Sequence, residues 1–338
     1  MTPIRVGLLG CGRIARLVHL RLLSSLSGAR LVAFAEPDER LRSEASRMAP
    51  GAAAAATFEE VVARPDVDAV VICLPNNLHA SAALAALAVG KHVYLEKPLA
   101  VDTAEGARVV SLWRDRGLVG MIGFNYRFHP LHRAAQAAIG AGRIGTPVTV
   151  RSVFSSPARA LPPWQQARAH GGGVLLNLGS HHFDLVPFLL QAPVGAVFAQ
   201  LRSQRSEHDT AVVHLQVTDG TQVQSFFSMN AAQEDRLEIY GDAGKVVIDR
   251  LRNTGTVQEL SGPGGGKRPK PLSPGVPWPF RRGGEPSYRA ALEAFVGAVG
   301  ANTPASPDLA DGFRSLALVE AAERSAASAV VVTLPQTL

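Results

Sequence analysis

Ile4-Arg5-Val6-Gly7-Leu8-Leu9-Gly10-Cys11-Gly12-Arg13-Ile14-Ala15 is the stretch on which the reading of the whole chain turns. Ile4, Val6, Leu8 and Leu9 make an apolar run of strand length, as expected for a strand covered on both faces. Gly10-x-Gly12-x-x-Ala15 then fits the dinucleotide fingerprint. The first glycine permits a tight turn, the second lets the backbone approach a pyrophosphate, and the third small residue lets helix and strand pack closely. Behind the turn, Ile14, Leu17, Val18, Leu22 and Leu23 recur at helical spacing. The N–H groups and positive end of that helix would face the phosphates. Gly10, Cys11, Gly12, Arg13 and Ile14 are thus the expected contacts of a bound dinucleotide.

A second strand, Arg30 to Ala35, ends in Glu36. A carboxylate there can accept hydrogen bonds from an adenosine ribose diol and would repel a 2′-phosphate. NAD is therefore favoured over NADP, with nearby Arg40 able to soften the preference. Further strands are expected at Asp68–Leu74, His92–Glu96 and Val119–Phe124, alternating with helices that end near Met48, Gly90 and Arg116. Pro75 should stop its strand, and an asparagine after it can cap the next helix. Strand–helix alternation means a doubly wound parallel sheet, so residues 1–123 read as a Rossmann domain. Ligands of such sheets bind outside the carboxyl ends of the strands. That adds Leu74, Pro75, Asn77, Glu96 and Lys97 to the expected cofactor contacts.

The pattern changes after residue 123. Pro130 to Ile139 is helical, and from Thr146 many segments alternate apolar and polar residues. Leu237–Ile248 reads as a hairpin closed by a short turn over Gly241-Asp242-Ala243-Gly244. Residues 124–338 are thus expected to form a substrate-binding and oligomerisation domain, an α/β unit with a mostly antiparallel sheet. Residues 261–286, dense in Gly and Pro, read as a long loop near or over a cleft. Helices near Ser287–Val299 and Leu309–Ala327 and a strand at Val330–Leu334 close the chain.

The chain has 338 residues, 46% of them apolar, and a formal net charge of +6. The length supports two cores. No apolar run reaches membrane-spanning length, and the N-terminal run reads as a strand, not a leader. The charge suits an anionic dinucleotide. The basic clusters Lys267-Arg268-Pro269-Lys270 and Arg281-Arg282 lack the interleaved aromatics of a nucleic-acid platform. Two cysteines, Cys11 and Cys73, are too few for a disulfide framework and read as packing residues of a cytoplasmic protein.

Lys97 falls where the nicotinamide end should arrive, and its ammonium can hydrogen-bond a substrate hydroxyl and favour its deprotonation. In Gly171-Gly172-Gly173-Val174-Leu175-Leu176-Asn177-Leu178-Gly179-Ser180-His181-His182-Phe183-Asp184, helical spacing puts Asn177 and His181 on one face and turns His182 elsewhere. His181 can take a hydroxyl proton near neutral pH. Adjacent histidines on a helix diverge by about 100° and share an ion poorly, so no metal is expected. Pro187 predicts a kink or an early helix end. Tyr126, Arg127, Trp164 and Arg168 complete the substrate-contact candidates with Asn177 and His181.

The chain resembles the Gfo/Idh/MocA oxidoreductases, which include the inositol dehydrogenases and glucose–fructose oxidoreductase. The resemblance lies in Gly7–Ala15, Pro75-Asn76-Asn77-Leu78-His79, Glu96-Lys97-Pro98-Leu99, Gly123–Pro130, Gly171–Asp184 and Asp311-Gly312. It implies a Rossmann domain followed by an α/β domain whose large open sheet commonly forms the oligomer interface, hence a homodimer or homotetramer. It also implies a catalytic role for Lys97, a cis Lys97–Pro98 bond and a place for His79 near the cofactor. Many members carry Asp-x-x-x-His on the helix. Here the first position is Asn177, whose amide cannot accept a proton. The expected activity is hydride transfer between a nicotinamide and a secondary hydroxyl or carbonyl of a sugar, cyclitol or polyol. The alternatives are a dinucleotide-binding sensor without turnover, and a glycosidase that reduces and reoxidises bound NAD within one cycle.

Overall fold

A computed structural model of the chain describes residues 2–260, 266–272 and 286–335. They form two compact units, Met1–Asn125 with Gly283–Leu316, and Tyr126–Arg282 with Ala317–Leu338. Of the expected loop over 261–286, only 266–272 and 286 are among the described residues. Within it, Lys270–Pro271 pairs as a short strand, and Arg281-Arg282 lies outside them.

The first unit is built on six parallel strands: β1 (Ile4–Leu9), β2 (Ala29–Ala35), β3 (Ala53–Ala55), β4 (Ala69–Ile72), β5 (His92–Leu95) and β6 (Gly120–Ile122). Their order is β3-β2-β1-β4-β5-β6, so the chain reverses direction across the sheet between β1 and β4. Val6, Leu8 and Leu9 of β1 and all of β4 are fully buried, as strands covered on both faces must be. Each large apolar side chain so buried contributes about 1.5–3 kcal/mol. The helix Pro286–Ala301 belongs to this unit, where Phe295 packs edge-on against Tyr94. Two elements are absent from the sequence reading. Strand β3 is three alanines, a residue with little preference for strands. The helix Phe58–Val62 is announced by a capping box, Thr57 with Glu60. The asparagine cap expected after β4 is not made: Asn76–Leu78 forms a single 3-10 turn, and the helix His79–Ala88 follows without a side-chain cap.

Among the described residues the second unit carries nine strands: β7 (Pro147–Ser155), β8 (Val194–Arg202), β9 (Thr210–Val217), β10 (Gln222–Ser228), β11 (Glu234–Gly241), β12 (Gly244–Asp249), β13 (Thr254–Glu259), β14 (Lys270–Pro271) and β15 (Val332–Thr333). They lie in the order β14-β13-β12-β11-β7-β10-β9-β8-β15. Pairing is antiparallel except between β7 and β10. β11 and β12 form the expected hairpin, with Gly241 opposite Gly244. Alternate residues of β9 and β10 are buried while Val212, His214, Gln216, Gln222 and Gln224 face outward, so one face of the sheet is covered and the other open. On the covered face lies the helix Ser180–Leu190, whose Phe183 meets Phe227 edge-on. This helix runs through Pro187 to Leu190 instead of ending early. Every residue from Ser180 to Val186 is buried, and that packing outweighs the hydrogen bond lost at proline.

Two buried histidines make this unit sensitive to acid. His129 caps the helix Pro130–Gly140, its Nδ1 accepting from Leu131 N–H at 3.2 Å, which requires an unprotonated nitrogen. His132 contacts the Tyr126 carbonyl through Nδ1 at 2.9 Å. Burial, then Arg250, pushes the His129 ring down to about 4, and burial, then His129, pushes His132 down to about 3. Both rings are neutral in the fold, whereas in the unfolded chain they take up protons near pH 6.5. Their contribution is therefore present above that value and lost as pH falls toward the folded values. Between pH 7 and pH 5, unfolding free energy is expected to fall by about 2 kcal/mol per ring. Urea denaturation at the two pH values checks this, and the loss should shrink in His129→Asn/His132→Gln.

Candidate active site

The carboxyl ends of β1, β2, β4 and β5 bring the expected cofactor residues of the first unit to one edge of its sheet. Gly10 has φ +89°, and a Cβ there would stand 2.7 Å from the Cys73 carbonyl oxygen, so only glycine makes this turn. Gly12 is different: a Cβ on it would meet nothing within 4 Å. The space over the turn is open, as a pyrophosphate needs. Ala15 is fully buried at the helix start, and Arg13 and Ile14 are exposed and half-buried beside it. The helix begins with a π turn over Ala15–His19, a feature that concentrates at functional sites.

Glu36 is 7% exposed, and its carboxylate accepts from Cys11 N–H at 2.8 Å and from Asp38 N–H at 3.0 Å. A carboxylate has about four acceptor sites, so two such bonds leave capacity for a ribose diol. The donor set, turn and acid therefore fit a dinucleotide. Both cysteines are packing residues. Burial, reinforced by Glu36, pushes the Cys11 thiol up to about 12, and burial raises Cys73 well above the usual thiol range.

The Glu96-Lys97-Pro98 turn is held from two sides. Glu96, nine-tenths buried, receives the His19 Nε2 at 2.8 Å from the helix behind the glycine turn. His79 places its two ring nitrogens 2.6 Å from the Pro98 carbonyl oxygen and 2.9 Å from that of Leu74. Burial lowers the His79 pKa, with the hydrogen bonds to the two carbonyls opposing the shift. His79 thus ties the end of β4 to the turn after β5. The Lys97–Pro98 bond is cis, and Lys97 is half-buried. Pro75 and Asn77 lie in the turn beyond Leu74, with Asn77 exposed. His19 was visible in the sequence only as a basic residue after the turn; its spacing from Gly12 gives no sign of a partner at position 96.

In the second unit, a second π turn, Leu175–Gly179, precedes the helix Ser180–Leu190. Asn177 sits in that turn, its amide donating to Met229 Sδ at 3.2 Å. His181 stacks on Tyr126 with ring centroids 4.4 Å apart and planes 19° apart. His182 turns the other way, as expected, onto the sheet: it bonds Ser152 Oγ, stacks on Phe154 and lies 3.8 Å from Asp235. Asp235 is the hub of this buried cluster, accepting from Tyr126 Oη at 3.0 Å and Arg250 Nε at 2.6 Å. Burial pushes its carboxyl up, but the contact with His182 and then the charge of Arg250 hold it well below the usual carboxylate range. The Arg250 guanidinium also lies 4.3 Å from the Tyr126 ring centroid. Asp235 and Arg250 carried no motif; only their positions at the ends of β11 and β12 bring them under the helix.

The remaining candidates direct their polar ends to internal partners. Besides Tyr126 on Asp235, Arg127 clasps Asp184 at 2.5–3.1 Å. Arg168 forms a two-pronged pair with Glu323 at 2.6 and 3.0 Å. Trp164 is half-buried in a short helix, Pro163–Gln166. Among the described residues no cluster of three or more His, Cys, Asp or Glu could hold a metal ion.

Comparison with known proteins gives a consistent result. Residues 4–124 match the oxidoreductase family with an NAD-binding Rossmann fold, and residues 132–247 match the GFO/IDH/MocA C-terminal domain. The chain is 31% identical to the inositol 2-dehydrogenase of Rhizobium meliloti over 333 residues, 96% of this chain and 97% of that one. It is 30% identical to the 1,5-anhydro-D-fructose reductase of Ensifer adhaerens over 338 residues, 96% of each. A solved structure of levoglucosan dehydrogenase in complex with NADH and L-sorbose superposes with a TM-score of 0.89 at 25% identity, covering 99% of this chain and 100% of that one.

Gly12→Val tests the cradle. The side chain meets open space, so the melting temperature should hold, while NADH affinity measured by calorimetry should fall roughly tenfold or more because the pyrophosphate loses its approach. Unchanged NADH binding would place the dinucleotide elsewhere.

Proposed function

The chain belongs to the GFO/IDH/MocA oxidoreductase family, and from that premise we propose how its residues divide the work. It is an NAD(P)-dependent oxidoreductase of CH–OH groups, with NAD the cofactor. Its substrate is a sugar, cyclitol or related polyol bearing a secondary hydroxyl, the class to which the printed names of its relatives point. The observation that carries the division is the Glu96-Lys97-Pro98 turn, which stands at the same sheet edge as the Gly10–Gly12 turn and Glu36 and is fastened by His19 and His79.

When bound, NAD supplies the hydride acceptor at C4 of its nicotinamide. Lys97 donates a hydrogen bond from its ammonium to the substrate oxygen and stabilises negative charge there as the hydroxyl proton departs. His181 receives that proton on oxidation and returns it on reduction. Its ring plane is set by the Tyr126 stack. Asn177 orients substrate through its amide, without the negative charge an aspartate would place beside an imidazolium. Trp164 is a further substrate contact. Tyr126, Arg127 and Arg168 serve the site chiefly by fixing its walls through Asp235, Asp184 and Glu323. Glu36 takes the adenosine ribose, and its charge disfavours NADP.

The open face of the nine-stranded sheet, with Val212 exposed on it, suits pairing of subunits into a homodimer or homotetramer. Two free buried cysteines suit a cytoplasmic setting. Among the described residues no helix is long and apolar enough to cross a membrane.

Steady-state NADH formation over a panel of polyols and sugars tests the roles. Lys97→Ala and His181→Ala should each lower kcat by about 10²–10⁴-fold, with NADH affinity nearly unchanged. Asn177→Ala should act mainly on substrate KM. Turnover that survives both of the first two changes would overturn the assignment.

A further inference from the structure

We propose that Tyr126 is a positioning residue that sets the proton affinity of His181: the electron-rich face of its ring stabilises the imidazolium formed when His181 takes the substrate proton. Its part in turnover rests on the oxidoreductase reading, whereas the effect on the His181 ring can be read without turnover. Ring centroids 4.4 Å apart and planes 19° apart lay the imidazole flat on the phenol. A cation within about 6 Å of an aromatic centroid is attracted to the negative face of the ring, most strongly where water is excluded. Tyr126 is 3% exposed and His181 9%, so water screens the pair weakly.

The surrounding charges leave this work to the ring. Asn177, four residues before His181, brings a neutral amide. Asp184, three residues after it on the same helix, is clasped by Arg127 at 2.5–3.1 Å. Asp235 accepts from Arg250 Nε at 2.6 Å. Each of these carboxylates is matched by an arginine, so neither has net charge to offer an imidazolium. His182 turns onto the sheet, toward Ser152 and Asp235. His129 and His132, on the far side of Tyr126's own segment, are pushed down to about 4 and about 3 by burial and are neutral near pH 7. The other ring beside His181 is that of Phe154, 6.1 Å away and tilted.

Tyr126 is equipped for the role. Its hydroxyl donates to Asp235 at 3.0 Å, and that carboxyl is ionised in the fold. Donation to an anion returns electron density to the phenol, because linked hydrogen bonds polarise one another. Arg250 also lies over the ring, 4.3 Å from its centroid, and draws on the same density. Its charge is balanced at Asp235, which both groups share. The phenol thus passes part of a buried carboxylate's charge to His181. The carboxylate itself stays beneath the helix, out of competition for the substrate proton.

The test is Tyr126→Phe together with 4-fluoro-, 3,5-difluoro- and 3,4,5-trifluorophenylalanine introduced at the same position. The His181 ring is followed by NMR across pH, its signal assigned by its loss in His181→Gln. All four variants keep an aromatic ring and lack the hydroxyl, so the loss of the Asp235 bond is common to the series, and melting temperatures confirm that the fold is held. Fluorine withdraws electron density from the ring face while changing its shape little. The His181 titration midpoint should fall from wild type to Tyr126→Phe and again with each added fluorine, by about 0.5 pH unit or more in total. A midpoint that stays level or rises along the series overturns the proposal, because packing alone is indifferent to ring electron density. Turnover of the polyol panel by the wild-type protein reads the oxidoreductase assignment separately. For an accepted substrate, the acid limb of kcat/KM should move with the NMR midpoint.

Discussion

One carboxylate, Glu36, organises the nucleotide half of this protein. It stands at the end of β2 and accepts the N–H of Cys11, the residue between the two glycines of the first turn. That bond needs Gly10 in a left-handed conformation, pressed against the Cys73 carbonyl at the end of β4. Three strand ends are thereby fixed to one another within a few ångströms, at the point where strand order reverses. The same carboxylate keeps acceptor capacity for a ribose, so the group that shapes the turn is also the one we propose reads the cofactor.

The catalytic candidates are braced in the same fashion, each by a buried polar partner distant in sequence. Lys97 follows Glu96, which His19 engages, and precedes Pro98, which His79 engages. His181 stacks on Tyr126, whose hydroxyl is held by Asp235 together with Arg250. Removing one member of such a buried charged cluster leaves the others unpaired at a cost of about 3–5 kcal/mol. Fixed side chains are what proton transfer requires, because a misplaced acid or base loses much of its effect.

The local signals of the sequence were readable where a backbone rule applied. The glycine turn, Glu36 at a strand end, the hairpin around Gly241–Gly244 and the switch from strand–helix alternation to period-two strands all follow from steric or periodic constraints. Where tertiary packing decided, the sequence was silent or misleading. Three alanines became β3 because β2 offered an edge, and Pro187 stayed within a helix because its neighbours are buried. The pairing of His182 with Ser152 and Asp235 joins residues 30 and 53 positions apart, which no spacing rule anticipates. Tyr126, Arg127 and Arg168 are substrate-contact candidates in the sequence. Their carboxylate partners at 235, 184 and 323 lie on other elements and became visible only in the fold.

The central claim is that Glu36 both closes the first turn and selects the cofactor. Titration of the wild-type protein with NADH and with NADPH, each without substrate, tests it most directly. NADH is expected to bind roughly tenfold or more tightly, since juxtaposing like charges costs several kcal/mol. Equal or tighter binding of NADPH would contradict it and remove Glu36 from the ribose.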